Sequence, residues 1–216
     1  MNNKDWTGDK NSVFKCLAAN SHCDHEYEKN SYYATDPKAL ELFLDRIDKD
    51  GIKLHEDIWE CACGQGNLSE VLKKRGYNIF SSDLIDRGYG ITGDFLEFNP
   101  TKTLSDGFKS ITVPDYIHKD ILTNPPYKIA LDFIKHALSL IEDGYYAIFF
   151  LKIQFLEGKE RYKFFQESPP KFVYVHSERQ KCAMNNNFKD VKSSAVCYAW
   201  FIWEKGFKGD TIVRWI

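Results

Sequence analysis

The chain has 216 residues, 43% of them hydrophobic, and a formal net charge of −2. This composition excludes global disorder, and no apolar run reaches the roughly 18 residues that a membrane span requires. The opening residues lack the apolar core of a signal peptide, so we expect a cytoplasmic protein. Contacts to phosphate dominate the affinity of proteins that bind duplex DNA. The slightly negative net charge therefore argues against tight binding to nucleic acid, although it does not exclude a local basic face.

The N-terminal residues 1–30 are polar and show no apolar periodicity, which predicts a loosely ordered arm. Cys16, His22, Cys23 and His25 cluster there. The two cysteines are further apart than zinc ligands usually are, and no second cysteine pair follows. We therefore expect no metal site, and we expect the six cysteines of the chain to be free thiols.

From residue 37 onward, helix and strand patterns alternate. Helices are predicted at 37–47, 68–75, 129–141 and 158–168, where apolar residues recur at intervals of three or four. Strands are predicted at 57–62, 77–83, 116–124, 145–153, 171–175 and 194–205. The alternation predicts an α/β fold, with a mainly parallel sheet covered by helices on both faces. Residues 31–216 are predicted to form a single domain.

A glycine-rich turn follows the first predicted strand, in the sequence ECACGQGN from Glu60 to Asn67. Gly64 and Gly66 have no Cβ, so a ligand can approach the backbone closely there. An ordinary glycine turn is the alternative. The dinucleotide pattern G-x-G-x-x-G is incomplete because residue 69 is Ser. A dinucleotide site is therefore disfavoured.

An acidic residue, Asp83, ends the next predicted strand, 17 positions after Gly66. A carboxylate in that place can accept two hydrogen bonds from ribose hydroxyls. A solvated loop aspartate is the alternative. Together, the glycine turn and the acid predict an adenosine-containing ligand without a pyrophosphate.

The sequence NPPY, Asn124 to Tyr127, follows a predicted strand and precedes a long amphipathic helix. Such a loop can assist methyl transfer to an exocyclic amino group of a heterocyclic ring. That amino group is a poor nucleophile because its lone pair is delocalised into the ring. If the Asn124 side-chain oxygen and the Pro125 carbonyl accept its two N–H bonds, the lone pair turns toward a methyl donor. Pro125 and Pro126 stiffen the loop, and Tyr127 can stack on a planar acceptor. A proline-rich turn without function is the alternative.

From about Tyr32 to its end, the chain resembles the Rossmann-like, class I S-adenosylmethionine-dependent methyltransferases, and within them the small adenine-specific DNA methyltransferases of phages and prophages. The resemblance implies a fold with a closing antiparallel C-terminal strand and S-adenosylmethionine as cofactor. It places the methionine moiety beside the glycine-rich turn and the ribose at Asp83. It implies contacts to the adenine and to the methionine carboxylate from two further segments. The implied cofactor residues are Tyr33, Thr35, Pro37, Glu60, Cys61, Gly64, Gly66, Asp83, Asp94 and Phe95.

The NPPY motif implies amino methylation through the same resemblance, but relatives with this motif methylate different acceptors. DNA adenine, DNA cytosine, RNA adenine and protein glutamine are all used. Our leading interpretation is methylation of adenine N6 in DNA. RNA adenine, a protein amide or a non-catalytic binding module that retains the fold are the alternatives, and the oligomeric state is left open.

A large target-recognition domain does not fit into this chain, and residues 97–119 and 176–194 are the candidate insertions. The second could touch phosphate, although a solvated charged loop is at least as good an interpretation. We therefore expect weak or sequence-tolerant nucleic-acid binding, or a requirement for single strands. Trp200, Trp203 and Trp215 are predicted to pack in the core or at a sheet edge. The cationic candidates in the second insertion are His176, Arg179, Lys181, Lys189 and Lys192.

Overall fold

The computed structural model describes residues 33–100, 116–180, 182–184 and 196–216. The arm predicted for residues 1–30 and its cysteine–histidine group lie outside these ranges. None of the helices in the described ranges has the length and apolar character that a bilayer span requires.

An eight-stranded sheet forms the centre of the fold, and a two-stranded ribbon lies beside it. In the large sheet the strand order is β10-β7-β9-β6-β5-β2-β3-β4. Only β9 runs antiparallel to its neighbours, while all other pairs are parallel. The predicted parallel sheet with an antiparallel strand near the C-terminus is confirmed. The large sheet contains β2 (Asp57–Glu60), β3 (Asn78–Asp83), β4 (Ile91–Thr92), β5 (Asp120–Thr123), β6 (Tyr146–Lys152), β7 (Phe172–Val175), β9 (Tyr198–Glu204) and β10 (Ile212–Trp215), and the ribbon pairs β1 (Tyr33–Thr35) with β8 (Cys182–Met184).

Within the described ranges, four α-helices cover the large sheet, and each differs from its predicted range by two residues or fewer at either end. The first two pack their apolar residues against one face of the sheet, and the last two pack against the other face. Asp36 caps the first helix by accepting a hydrogen bond from Lys38 N at 3.0 Å, and Pro37 occupies its first turn. The helices are α1 (Pro37–Lys49), α2 (Asn67–Lys74), α3 (Ala130–Leu140) and α4 (Lys159–Glu167).

Two tryptophans of β9 anchor the two faces of the core. Trp200 is fully buried against α1 and donates to Ala39 O at 3.2 Å. Trp203 is buried on the opposite face and donates to Ser168 O at 3.0 Å. Trp215 lies on the edge strand β10 and is 63% exposed. The prediction of core or edge packing for these tryptophans is confirmed.

The parallel direction of β2, β3 and β5 brings the ends of these strands to the same edge of the sheet. Glu60 and Asp83 end two of them, and Asn124 directly follows the third. Ligands in sheets of this kind bind beyond the carboxyl ends of the strands. The fold therefore gathers the predicted site residues at the edge where a ligand is expected.

Candidate active site

The glycine-rich loop connects β2 to α2, and both of its glycines have left-handed backbone angles. Gly64 has φ +54° and Gly66, the N-cap of α2, has φ +82°. A Cβ on Gly66 would lie 2.5 Å from ring carbons of Tyr89. A side chain at Gly66 is therefore excluded both by its backbone conformation and by a ring packed against it.

The ring of Tyr89 packs against this loop, and the sequence analysis did not identify it. Its hydroxyl donates to Glu70 Oε1 and accepts from Lys73 Nζ, both at 2.7 Å, so α2 holds the ring in place. Glycines with φ +80° and +70° flank it at Gly88 and Gly90. An aromatic residue between two glycines was the signal in the sequence, because such a segment can turn sharply on both sides of the ring.

Asp83 is brought against the glycine-rich loop, as predicted. Its Oδ2 accepts from Gly64 N at 2.8 Å, and its Oδ1 accepts from Ile85 N at 3.0 Å. Each carboxylate oxygen can accept a second hydrogen bond. The two backbone donors fix the direction of the carboxylate, so it can accept ribose hydroxyls without reorganising.

Glu60 is buried, with only 2% of its surface exposed, and its partners belong to the protein. Its Oε2 accepts from the Ser69 hydroxyl, which lies 2.7 Å from the Ser81 hydroxyl. Burial raises the pKa of Glu60 to about 8. The serine that breaks the dinucleotide pattern therefore has a structural role: it ties α2 to the base of the loop.

Cys61 and Cys63 belong to this loop, and both are buried. Burial raises the pKa of the Cys61 thiol well above its ordinary value and that of Cys63 to about 12. Neither sulfur is therefore a thiolate near neutral pH. Cys61 belongs to the apolar floor of the loop, and any contact it makes with a cofactor is of that apolar kind.

Asp94 and Phe95 begin a short 3₁₀ turn beside Asp83, whose carbonyl accepts from Gly93 N at 2.9 Å. The exposed Asp94 caps this turn through Leu96 N at 2.9 Å. Phe95 is 3% exposed, and its ring packs at 5.2 Å against Trp59. Asp94 is available to a ligand, whereas the ring of Phe95 is part of the core.

Asn124 is held by the first strand of the ribbon. Its Nδ2 donates to Thr35 Oγ1 at 2.9 Å, and Thr35 is 2% exposed. Because the amide turns its donor side to Thr35, the acceptor oxygen lies on the opposite side of the amide. Thr35, which the resemblance assigns to the cofactor, thus orients the predicted catalytic residue.

The two prolines continue from Asn124 into the helix that follows. Pro125 is buried and Pro126 is exposed. The carbonyl of Pro126 accepts from Ile129 N at 3.1 Å and closes a 3₁₀ turn that leads into α3. The carbonyl predicted to accept the substrate amine is that of Pro125, one residue earlier.

Tyr127 is fixed by residues from three different strands. Lys152 Nζ lies 4.8 Å from its ring centroid, the Tyr198 ring lies at 6.1 Å, and its hydroxyl is 3.7 Å from Cys182 Sγ. Burial raises the pKa of Tyr127 well above its ordinary value. Lys152 and Cys182 were not identified from the sequence, because neither belongs to a motif.

The β1–β8 ribbon connects these two contacts. Thr35, which holds Asn124, pairs with Cys182, which lies beside Tyr127. Tyr33 pairs with Met184 in the same ribbon, while Pro37 begins α1. β1 also lies against α2, the helix that follows the glycine-rich loop. The ribbon therefore contacts both the predicted cofactor side, which is formed around the glycine-rich loop and Asp83, and the predicted acceptor side, which is formed by residues 124–127.

The structure describes only some of the residues in the segment 176–194, where contacts to phosphate were predicted. His176 is 3% exposed, and burial lowers its pKa to about 4. It is therefore neutral near pH 7, and the interpretation of His176 as a phosphate-binding cation was wrong. Arg179 is exposed. Lys181, Lys189 and Lys192 lie outside the described residues.

Comparisons with known proteins give matches among solved structures. No protein-family model and no curated protein sequence matches the chain. A provisionally assigned RNA methyltransferase from Pyrococcus horikoshii, PH1948, superposes with a TM-score of 0.57 at 12% identity, over 91% of this chain and 98% of that one. A provisionally assigned class I S-adenosylmethionine-dependent methyltransferase from Listeria monocytogenes superposes with a TM-score of 0.50 at 12% identity, over 95% and 70%.

A third similar structure belongs to a restriction system. The modification subunit of a provisionally assigned type I restriction enzyme from Vibrio vulnificus superposes with a TM-score of 0.52 at 13% identity. The match covers 86% of this chain and 46% of that subunit, so this chain corresponds to about half of it. Together with the strand order, these likenesses show that the chain has the Rossmann-like fold of class I methyltransferases.

Proposed function

We propose that this chain, folded as a class I methyltransferase, uses S-adenosylmethionine to methylate the exocyclic N6 amine of adenine in DNA. The observation that carries the proposal is Asn124, which Thr35 orients at the carboxyl edge of the sheet. Its strand, β5, is the direct neighbour of β2, from which the glycine-rich loop continues. Adjacent strands are about 4.8 Å apart, so donor and acceptor sites built on them would be close together.

The residues around the glycine-rich loop fit an S-adenosyl ligand. Gly64 and Gly66 present backbone without side chains, and the Asp83 carboxylate is already oriented. Asp94 is exposed beside Asp83, where it can accept a hydrogen bond from an adenine amine. S-adenosylmethionine, when bound, supplies an activated methyl group.

The residues on the acceptor side would orient the amine of the substrate toward the methyl group. Asn124 Oδ1 and the Pro125 carbonyl accept the two N–H bonds of the amine, which turns its lone pair out of conjugation and toward the methyl group. As the nitrogen bonds to the methyl carbon, the carbon–sulfur bond of the donor would break, with S-adenosylhomocysteine as the leaving group. The amine would then release a proton to water, because an amide and a carbonyl do not act as bases at neutral pH. Fixed geometry of this kind can account for much of an enzymatic rate enhancement.

The choice of DNA adenine as acceptor is supported by two observations. The NPPY motif resembles that of adenine-specific DNA methyltransferases, and one structural neighbour is named as a modification subunit of a restriction enzyme. RNA adenine is the second candidate, because the likeness to the Pyrococcus horikoshii protein, named as an RNA methyltransferase, covers 98% of that chain. The predicted single domain over residues 31–216 would suit either acceptor.

Incubation with methyl-tritiated S-adenosylmethionine tests the proposal. Unmethylated DNA, structured RNA and a protein extract are offered in parallel, and the label is followed into each. We expect label in DNA. Label only in RNA would favour the second candidate, and label only in protein would contradict both nucleic-acid acceptors. No label in any acceptor, from protein shown by calorimetry to bind the cofactor, would overturn the proposal.

A further inference from the structure

A groove follows the carboxyl end of β6 and has no role in the site described above. It is a shallow groove, open to solvent, with a volume of about 590 Å³. It begins four residues after Lys152, whose ammonium group lies over Tyr127. Because β6 runs parallel to β5, the segment that leads into the groove leaves the sheet at the same edge as Asn124. The lining residues are Leu156, Gly158, Lys159, Tyr162, Lys163 and Phe165.

Tyr162 is the main feature of the groove. It is 64% exposed, and within the described part of the chain no other aromatic ring packs against it. An exposed flat ring in a groove is a stacking surface for an unpaired base. Leu156, 42% exposed, adds an apolar wall next to it.

Two of the residues that line the groove are lysines, and the exposed Glu157 and Glu160 lie between lining residues in sequence. Lys159 and Lys163 are one helical turn apart on α4 and both line it, whereas no carboxylate does. Glu160 is next to Lys159 in sequence but is rotated by about 100° around the helix. Arg161 lies close to the lining as well: its guanidinium is over the Phe155 ring at 5.1 Å, and a Cβ on Gly158 would be 2.9 Å from it. The lining therefore combines a free ring with two ammonium groups, which matches a base and its flanking phosphates.

We infer that this groove binds single-stranded DNA next to the acceptor adenine, with one base stacked on Tyr162 and phosphates paired with Lys159 and Lys163. The inference rests on the proposed function for the identity of the acceptor strand. Duplex DNA does not fit equally well, because its bases present no free face to Tyr162. Lys159 and Lys163 supply ammonium groups for phosphate in a chain whose formal net charge is −2.

Fluorescence anisotropy with a labelled adenine-containing 12-nucleotide strand, and with its duplex, tests the inference. Tyr162→Ala should weaken single-strand binding about fivefold to 100-fold, the equivalent of a stacked base, while Tyr162→Phe, which keeps the ring, should bind like the wild type. Lys74→Ala, at an exposed lysine of α2, is the matched control for charge. Lys159→Ala combined with Lys163→Ala should reduce the slope of log affinity against log salt by about 1.4.

The inference is overturned if Tyr162→Ala binds the single strand like the wild type, if Tyr162→Phe is as weak as Tyr162→Ala, or if the wild type prefers the duplex. Because Tyr162 is exposed, its replacement should leave thermal unfolding unchanged. Methyl transfer is measured on the same strand. Tyr162-dependent binding without transfer would support the groove and contradict the proposed function. Normal kcat/KM in Tyr162→Ala would contradict the groove alone.

Discussion

The cofactor side and the acceptor side of the candidate site are built differently. On the cofactor side the contacts are local: Gly64 to Asp83 spans 19 positions, and Glu60 to Ser69 spans nine. On the acceptor side, the contact between Thr35 and Asn124 spans 89 positions. One βαβ unit thus makes these two cofactor-side contacts, whereas distant segments must assemble to bring Thr35 to Asn124. Changes on the acceptor side should therefore leave cofactor affinity intact.

The largest expected effect is that of Asn124→Ala. Methyl transfer should fall by at least about 100-fold, the scale of losing one oriented polar group that acts on the reacting atoms. Affinity for S-adenosylmethionine should stay within about threefold, since the cofactor side does not depend on this amide. Single-turnover transfer and calorimetric titration measure the two quantities. Comparable losses of both would mean that the two sides are not separable.

Gly66→Ala should lower the free energy of unfolding, because it strains the glycine-rich loop on the cofactor side. The left-handed backbone costs about 1–2 kcal/mol for a residue with a Cβ, and the contact with Tyr89 at 2.5 Å adds about 1–3 kcal/mol of overpacking. In a Tyr89→Ala background only the backbone cost should persist. Urea unfolding of the four proteins gives the coupling energy. Additive effects would show that Tyr89 does not press on Gly66.

Glu60 should make stability depend on pH. The folded state raises its pKa from 4.5 to about 8, so the folded protein keeps a proton that the unfolded chain releases. The folded state therefore binds more protons between these values, and stability is lost as the pH rises from about 4.5 to about 8. The loss is on the order of a few kcal/mol.

Glu60→Gln removes this titration. The Tm difference between the variant and the wild type should change in favour of the variant as the pH rises from 5 to 8.5. Scanning calorimetry at several pH values measures it. A constant difference over that range would show that Glu60 is already ionised in the folded protein.

Asp83→Ala has the smallest of these expected effects. It would remove the charged hydrogen bonds that we propose between Asp83 and the ribose, so cofactor affinity should weaken by about 1–3 kcal/mol. Transfer at saturating cofactor should change less than in Asn124→Ala, because Asp83 does not touch the acceptor. Calorimetry with S-adenosylhomocysteine measures the affinity. Unchanged affinity would remove Asp83 from the cofactor site.

The difference between the two sides also explains what the sequence predicts well. The strand and helix patterns are local, so the parallel sheet, the four helices and the meeting of Gly64 with Asp83 could all be predicted. Short strands such as β1 and β8 carry too few residues for a periodic signal. Their pairing fixes Thr35 next to Asn124, a contact that no local pattern encodes.

Burial is the other property that motifs do not reveal. Glu60 and Phe95 belong to motif segments, yet one is buried against Ser69 and the other lies in the core. His176 carries a potentially cationic side chain, yet its burial keeps it neutral. The sequence identifies these residue types, but only the packing of helices on the sheet decides which of them face a ligand.

The most direct test of the account uses methyl-deuterated S-adenosylmethionine and a synthetic adenine-containing DNA strand. After transfer, the strand is digested and its nucleosides are analysed by mass spectrometry. We expect trideuteromethyl label on adenine N6 and none on the other bases. Label on cytosine, or no label from protein that binds the cofactor, would contradict it.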